Sequence, residues 1–253
     1  MPRALRRFVA DLFGAYADGV RVVAGLPWLF GAIIAWEFAQ HVMEWRIGFF
    51  DSRAAATAVS QDGSRMALGW VKMILVYVGG FFAIRYLVLG RAAGVMRPSP
   101  RTIAAYAPYV AYSLIVFAAI FYAGALVPAP RLMTARGIVG IGQLLIEPLL
   151  MAWIVSAATD GPVRTPLQSA RRTGWMYLWA LPAYVIVRLP ISLLHQFLGT
   201  YPIGKPTMWL WPMLALDAIV VGLLIAVIPA IQVRCARRID DRAIRRAAPP
   251  SPH

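Results

Sequence analysis

The sequence predicts an all-α, polytopic membrane protein with six transmembrane helices and an N-terminal interfacial amphipathic helix. Of its 253 residues, 60% are hydrophobic and only 14% are charged, whereas soluble domains contain about half apolar and about a quarter charged residues. The long apolar runs do not alternate with polar residues, as strands of a membrane β-barrel would. The membrane-spanning segments are therefore predicted to be helical.

Six apolar stretches are long enough to cross a bilayer, which requires about 20 helical residues. These stretches cover residues 22–42, 66–88, 103–127, 137–159, 174–198 and 208–233. The chain is accordingly divided into an interfacial helix at 1–21, a transmembrane domain at 22–233 and a basic cytoplasmic tail at 234–253.

The net charge of +14 is explained chiefly by topology, because cytoplasmic loops of membrane proteins are enriched in Lys and Arg. With the N-terminus inside, sixteen positive residues flank the spans on the cytoplasmic side: Arg3, Arg6, Arg7, Arg21, Arg91, Arg97, Arg101, Arg164, Arg171, Arg172, Arg234, Arg237, Arg238, Arg242, Arg245 and Arg246. Six lie in the outer loops: Arg46, Arg53, Arg65, Arg131, Arg136 and Lys205. Both termini are therefore predicted to be cytoplasmic.

Residues 1–21 are predicted to lie as an amphipathic helix on the cytoplasmic leaflet. The apolar positions that recur at helical spacing are Leu5, Phe8, Val9, Leu12, Phe13, Tyr16 and Val20. The residues off that stripe include Arg6, Arg7, Asp11 and Asp18. The expected partners are anionic lipids of the inner leaflet, and the alternative is packing against another membrane-protein subunit.

Five ionisable side chains lie deep within the predicted spans: Glu37, Lys72, Glu147, Arg188 and Asp217. Charged residues at this depth are costly, and they usually face the bundle interior or a watery cavity. All five are predicted in the outer half of the bilayer, where the favoured interpretation is that they make buried ion pairs that fix helix packing. The alternative hypothesis is that the five residues form a substrate-binding centre. A sixth charge, Arg85, is near the cytoplasmic end of its span and is expected to snorkel.

The neighbours of these charges favour a polar centre. Glu37 and Lys72 have similar depths on consecutive antiparallel spans, so their side chains are expected to meet. Glu147 directly precedes a proline, and Arg188 stands two residues before Pro190. Because proline frees the backbone carbonyl four residues earlier, polar backbone lies at the depth of each charge, as at transporter substrate sites.

No bound metal or other cofactor is predicted, although four residues offer suitable ligands. Glu37, His41 and Glu44 share one helix face, and His195 lies at a similar depth. Carboxylates and imidazoles at this spacing can hold a metal, and two histidines on different helices can ligate a haem. Interfacial polar residues explain the same pattern without a ligand.

Motifs for catalysis and nucleic-acid binding are missing from the sequence. It contains no G-x-S-x-G elbow, no H-E-x-x-H zinc motif and no G-x-x-x-x-G-K-[ST] phosphate loop. The single cysteine, Cys235, excludes a multi-cysteine site. The basic residues belong to no recognition module, so no nucleic-acid partner is predicted. Ser192 and His195, neighbours on one predicted helix, leave an intramembrane hydrolase as an open alternative.

The region 148–190 resembles a group of small bacterial membrane proteins. The residues that carry the resemblance are Pro148 and the stretch PLQSARRTGWMYLW, which begins at Pro166. The chain resembles the six-helix membrane domain attached to some glycerophosphodiester phosphodiesterases, and the YciC-like uncharacterised membrane proteins. The resemblance implies a six-helix bundle without a catalytic domain, and it assigns no functional residue.

Two functions fit these observations. The first is a non-catalytic scaffold, assembly factor or accessory subunit of a membrane complex. The second is a small-solute or lipid transporter, or a permease subunit, that uses the buried charged cluster. Because Lys72 and Lys205 are the only lysines among 25 basic residues, a bias typical of GC-rich bacterial genomes, the expected location is the inner membrane of a bacterial cell.

Overall fold

A computed structural model describes residues 3–90 and 94–247 of the chain. Arg91, expected at the inner face, and residues 248–253 of the predicted tail lie outside the described residues. The described part is built from helices: α1 (Arg3–Gly25), α2 (Pro27–Arg46), α3 (Arg53–Ala58), α4 (Gly63–Leu89), α5 (Pro100–Phe121), α6 (Ala123–Leu126), α7 (Ala129–Thr159), α8 (Pro166–Thr173), a 3₁₀ turn (Gly174–Met176), α9 (Tyr177–Thr200) and α10 (Thr207–Ala247).

Within residues 3–90 and 94–247, five helical segments are each long and apolar enough to cross a membrane: α4, α5, α7, the segment Pro166–Thr200 and α10. A sixth crossing results when α1 and α2, which meet at 97°, are counted as one span. This architecture confirms the predicted all-α polytopic fold. Helix α10 also continues through residue 234 to Ala247, so the described part of the predicted tail is helical.

The start of the first predicted span differs from the structure. Helix α1 continues to Gly25, and Leu26 leaves helical geometry with φ −128° and ψ 54°. Pro27 follows in the first turn of α2, where its missing N–H would have had no helical partner. The apolar helix therefore begins at Pro27 rather than at residue 22, and the residues before it extend the amphipathic helix.

Helix α1 exposes part of its apolar stripe, at Leu5, Phe13 and Val20, and buries two acidic residues. Phe13 is 73% exposed, whereas Asp11 and Asp18 are buried. The Asp11 carboxylate accepts a hydrogen bond from Arg238 Nε at 3.1 Å, and Arg234 Nη1 lies 3.4 Å from it. Exposure of the apolar face is the arrangement expected of an interfacial helix.

The chain forms two compact units, and the first comprises residues 1–12, 84–185 and 230–253. Within it, α5 packs against α7 and α7 against α8. Arg85 is only 5% exposed, and its guanidinium donates to the carbonyls of Gly94, Val95 and Ala158 at 2.7–2.8 Å. The expected snorkelling of Arg85 is therefore wrong, because the end of α7 and the loop before α5 present carbonyls that need donors.

The second unit comprises residues 13–83 and 186–229, and glycines allow its helices to approach closely. A Cβ on Gly19 of α1 would lie 2.5 Å from Val227 Cγ2 and 3.2 Å from Val227 Cα on α10. A Cβ on Gly79 of α4 would lie 2.8 Å from Ile225 Cγ2. These contacts bring α1, α4 and α10 together and position the polar residues described below.

Two prolines interrupt α7 and α9 without ending them, and each has a tyrosine nearby. In the first unit, the Tyr177 hydroxyl donates to the Leu145 carbonyl at 3.1 Å, three residues before Pro148. In the second, the Tyr16 hydroxyl donates to the Val187 carbonyl at 2.7 Å, three residues before Pro190. The accepting carbonyl is in each case one residue after the carbonyl that the proline frees.

Candidate functional site

Two ion pairs connect α2 with α4 in the second unit. Lys72 Nζ lies 2.6 Å from Glu37 Oε1, and Arg65 Nε lies 2.9 Å from Glu44 Oε1. On each helix the two paired residues are seven positions apart, which is about two helical turns. The pairs are therefore successive contacts of one antiparallel helix pair, and the expected contact between Glu37 and Lys72 is observed.

Asp217 of α10 connects this helix pair with His195 of α9. The Asp217 side chain is fully buried, and its two oxygens lie 3.0 Å from His41 Nε2 and 2.7 Å from His195 Nδ1. The other ring nitrogen of His41, Nδ1, lies 3.2 Å from Glu44 Oε2. Because both nitrogens of His41 face carboxylate oxygens, both contacts are hydrogen bonds only when the ring carries two protons.

His41 Nε2 also lies 3.7 Å from Glu37 Oε1, so these contacts form one continuous set of side chains, here called the charged network: Glu37, His41, Glu44, Arg65, Lys72, His195 and Asp217. It contains three carboxylates, which are opposed by the ammonium of Lys72 and the guanidinium of Arg65. A doubly protonated His41 supplies the third positive charge. This balance matters because an uncompensated charge is strongly unfavourable in a buried site.

One carboxylate oxygen in the charged network has no partner in the described part of the chain. Glu37 is 1% exposed, and its Oε2 accepts no hydrogen bond, while Oε1 contacts Lys72. Nearby, Gln40 Oε1 is also buried without a partner. Ligand atoms of Glu37, His195 and Asp217 all lie within 4.8 Å of one another. The geometry therefore offers a buried anionic oxygen to a further cation or hydrogen-bond donor.

Apolar residues cover one end of the charged network. Phe50 packs with Leu210 and Leu214, and its ring centroid lies 6.4 Å from that of His41. The Gly204 N–H donates to the Phe50 carbonyl at 2.8 Å, which ties the segment after α2 to the segment before α10. His195 differs from its neighbours, since 31% of its side chain is exposed. It is the most exposed member of the charged network.

The remaining two predicted substrate-binding residues have different environments. Glu147 belongs to the first unit, where Tyr109 and Gln232 donate to its Oε1 at 2.9 and 2.8 Å. Arg188 is half-buried on α9, about 10 Å of helical rise before His195. Three of the five residues, Glu37, Lys72 and Asp217, thus share the charged network with all four candidate metal ligands.

Arg65 and Gln40 were missed as site residues, because Arg65 counted only as an outer-loop charge. A signal for Arg65 was nevertheless present in the sequence. Lys72 follows it by seven residues, as Glu44 follows Glu37, and equal spacing on antiparallel helices places both pairs opposite each other. No comparable signal marks Gln40, whose amide lies 3.4 Å from Glu44 Oε1.

Neither a protein-family model, nor a curated protein, nor a solved structure matches this chain. The resemblance to the phosphodiesterase membrane domain and the YciC-like proteins therefore stays a prediction. What the chain and its geometry establish is a multi-pass helical membrane protein.

Proposed function

We propose that the protein is a transporter or permease subunit for a small cationic solute, with the charged network as its binding centre. The observation that carries the proposal is buried Glu37: its Oε2 has no partner among the described residues, and one of its carboxylate oxygens lies within 4.8 Å of ligand atoms of Asp217 and His195. Ionisable residues that gather inside a helical membrane domain commonly mark a solute or ion pathway. The partly exposed side chain of His195, at the edge of this centre, supports the proposal as the point at which a solute would enter.

Flux measurements in liposomes test this proposal. Liposomes that contain the purified protein are expected to take up at least one of H⁺, K⁺ or Mn²⁺ faster than protein-free liposomes. Asp217→Asn should abolish the uptake, because it removes the charge that joins α9 to the other helices. Glu147→Gln, which changes a buried carboxylate of the other unit, is the matched control and should retain it. Uptake of none of these ions, or equal uptake by Asp217→Asn, would contradict the proposal.

A scaffold or accessory-subunit role is the second candidate, and the α2–α4 ion pairs favour it. Both pairs have partners of opposite charge, so they can fix helix register without any ligand. Replacing Glu37 and Lys72 together by Gln and Met should then restore the folding yield that either single change lowers. Under the transport proposal the double variant folds but no longer moves the solute.

We also propose that the protein resides in a bacterial inner membrane with both termini in the cytoplasm and anionic lipid as a partner. The excess of inner positive residues supports this orientation. A cavity of about 380 Å³ is lined by Arg171, Arg172, Trp175 and Arg242, among others, and Trp175 is 74% exposed. Arginines beside an exposed tryptophan suit contact with anionic headgroups at the membrane interface.

A further inference from the structure

We propose that Glu37, His195 and Asp217 bind one divalent first-row transition-metal ion. This inference deepens the proposed function by naming the class of cation, and metal binding can be measured independently of transport. The three residues come from α2, α9 and α10 within one compact unit. A metal at this point would therefore join three helices that no disulfide connects, since the chain has one cysteine.

The distances suit a metal after a small adjustment. Metal bonds to carboxylate oxygen and imidazole nitrogen are about 2.0–2.2 Å long, so two ligand atoms around one ion lie about 3–4.4 Å apart. The ligand atoms of Glu37, His195 and Asp217 lie within 4.8 Å of one another. Shifts of a few tenths of an ångström in side-chain position would close this difference, and a metal bound to His195 Nδ1 and Asp217 Oδ1 would replace the 2.7 Å hydrogen bond between these two atoms.

Glu37 has the oxygen that such a site needs. Its Oε1 is engaged with Lys72, whereas the buried Oε2 has no partner. Binding a metal through Oε2 would leave the ion pair with α4 in place. The free energy now lost at a desolvated, unbonded carboxylate oxygen would be recovered in the metal bond.

The ligand chemistry selects the metal class. An imidazole ligand favours Zn²⁺, Fe²⁺, Ni²⁺ or Cu²⁺, and carboxylates extend the range to Mn²⁺. Ca²⁺ and Mg²⁺ prefer oxygen ligands alone, so His195 argues against them. His41 would not bind the metal itself. Its Nε2 lies 3.0 Å from Asp217 Oδ2, so it would orient the carboxylate that does.

Metal binding is tested on the full chain, purified in mild detergent with an affinity tag that lacks histidine. After dialysis against Zn²⁺ or Mn²⁺, elemental analysis is expected to find one ion per chain. Titration with Co²⁺ should produce a visible absorption band, a signal that no purely structural role would generate. His195→Ala removes a half-exposed side chain and should preserve folding while weakening binding by at least about 100-fold, the upper end of the losses seen for residues that only support a ligand.

Asp217→Asn and Glu37→Gln should weaken binding similarly, and thermal unfolding without metal reports whether each variant is folded. Glu147→Gln, a buried carboxylate of the other unit, should bind the metal like the wild type. Substoichiometric binding, or equal affinity in wild type and folded His195→Ala, would overturn the inference. Metal binding without flux would support the metal site and contradict the transport proposal. Flux of H⁺ or K⁺ without metal binding would support transport and contradict the metal site.

Discussion

At the scale of single residues, buried charges connect separate parts of the chain, and Arg85 is the simplest case. One guanidinium satisfies three backbone carbonyls, of Gly94, Val95 and Ala158, at the end of α7 and in the loop before α5. Hydrogen bonds from a charged donor contribute more than neutral ones. Arg85 therefore serves as a C-terminal cap and loop anchor in one side chain.

Arg85→Met is expected to lower the free energy of unfolding by about 3 kcal/mol or more, because it leaves buried carbonyls without donors. Thermal or denaturant unfolding in detergent measures the loss. Arg237→Met is the matched control: Arg237 is exposed and donates to one carbonyl, that of Leu87. Its expected effect is below about 1 kcal/mol. Equal losses in the two variants would show that the three carbonyls contribute nothing.

Individual contacts also show which parts of the candidate site the sequence can predict and which it cannot. The contact of Glu37 with Lys72 is predictable, since consecutive antiparallel spans place residues of equal depth side by side. The contact of Asp217 with His41 depends on α2 and α10 being neighbours, although about 176 positions separate the two residues. Depth and spacing in the sequence do not specify which non-consecutive helices pack together.

At the scale of elements, close helix approach sets where substitutions are tolerated. Gly19→Ala should lower the free energy of unfolding by about 1–3 kcal/mol, since its Cβ would meet both side chain and backbone of Val227. Gly31→Ala on α2 is the control, because nothing lies within 4 Å of its Cβ. That change should be neutral or stabilising by up to about 1 kcal/mol through helix propensity. A stable Gly19→Ala variant would show that α1 and α10 can separate.

The start of α4 provides a pH-dependent element. The Ser64 hydroxyl and the backbone N–H groups of Arg65 and Ser64 donate to Asp62 Oδ1 and lower the pKa of this carboxyl from its ordinary 3.8. The ionised Asp62 carboxylate therefore stabilises the start of α4 at pH values above its ordinary pKa of 3.8. This stabilisation is lost as the pH falls through the lowered pKa of the folded protein. Hydrogen exchange of the first turn of α4 should be faster in Asp62→Ala than in the wild type at about pH 6, and this difference should shrink as the pH falls through the lowered pKa. A pH-independent difference would contradict this role.

The ends of the helices, too, are only partly predictable from the sequence. Apolar length predicts the five helical segments that cross singly, because hydropathy over about 20 residues depends little on neighbours. The break at Leu26 was not predicted, since residues 22–25 are apolar enough to belong to either helix. Pro27 was the available signal: proline favours the first turn of a helix and restricts the residue before it.

At the scale of the whole molecule, the orientation proposal yields a labelling experiment. Cys235 is fully buried, so the native thiol should contribute little background. Arg53→Cys, in the outer connection, should react with a membrane-impermeant maleimide in intact spheroplasts. Arg164→Cys, in the connection between α7 and α8, should react only after permeabilisation. Both positions are exposed. The opposite pattern would place the termini outside.

The equal seven-residue spacing on α2 and α4 also has a consequence for biogenesis. A charge at the centre of a single span raises the cost of leaving the translocon by about 3 kcal/mol. If α2 and α4 enter the lipid together as a hairpin, Glu37 arrives already neutralised by Lys72, and Glu44 by Arg65. A slip of two helical turns would leave a single ion pair, either Glu44 with Lys72 or Glu37 with Arg65, and neither native pair. Under concerted insertion the two native pairs would therefore favour the correct register of the hairpin before the later helices are synthesised.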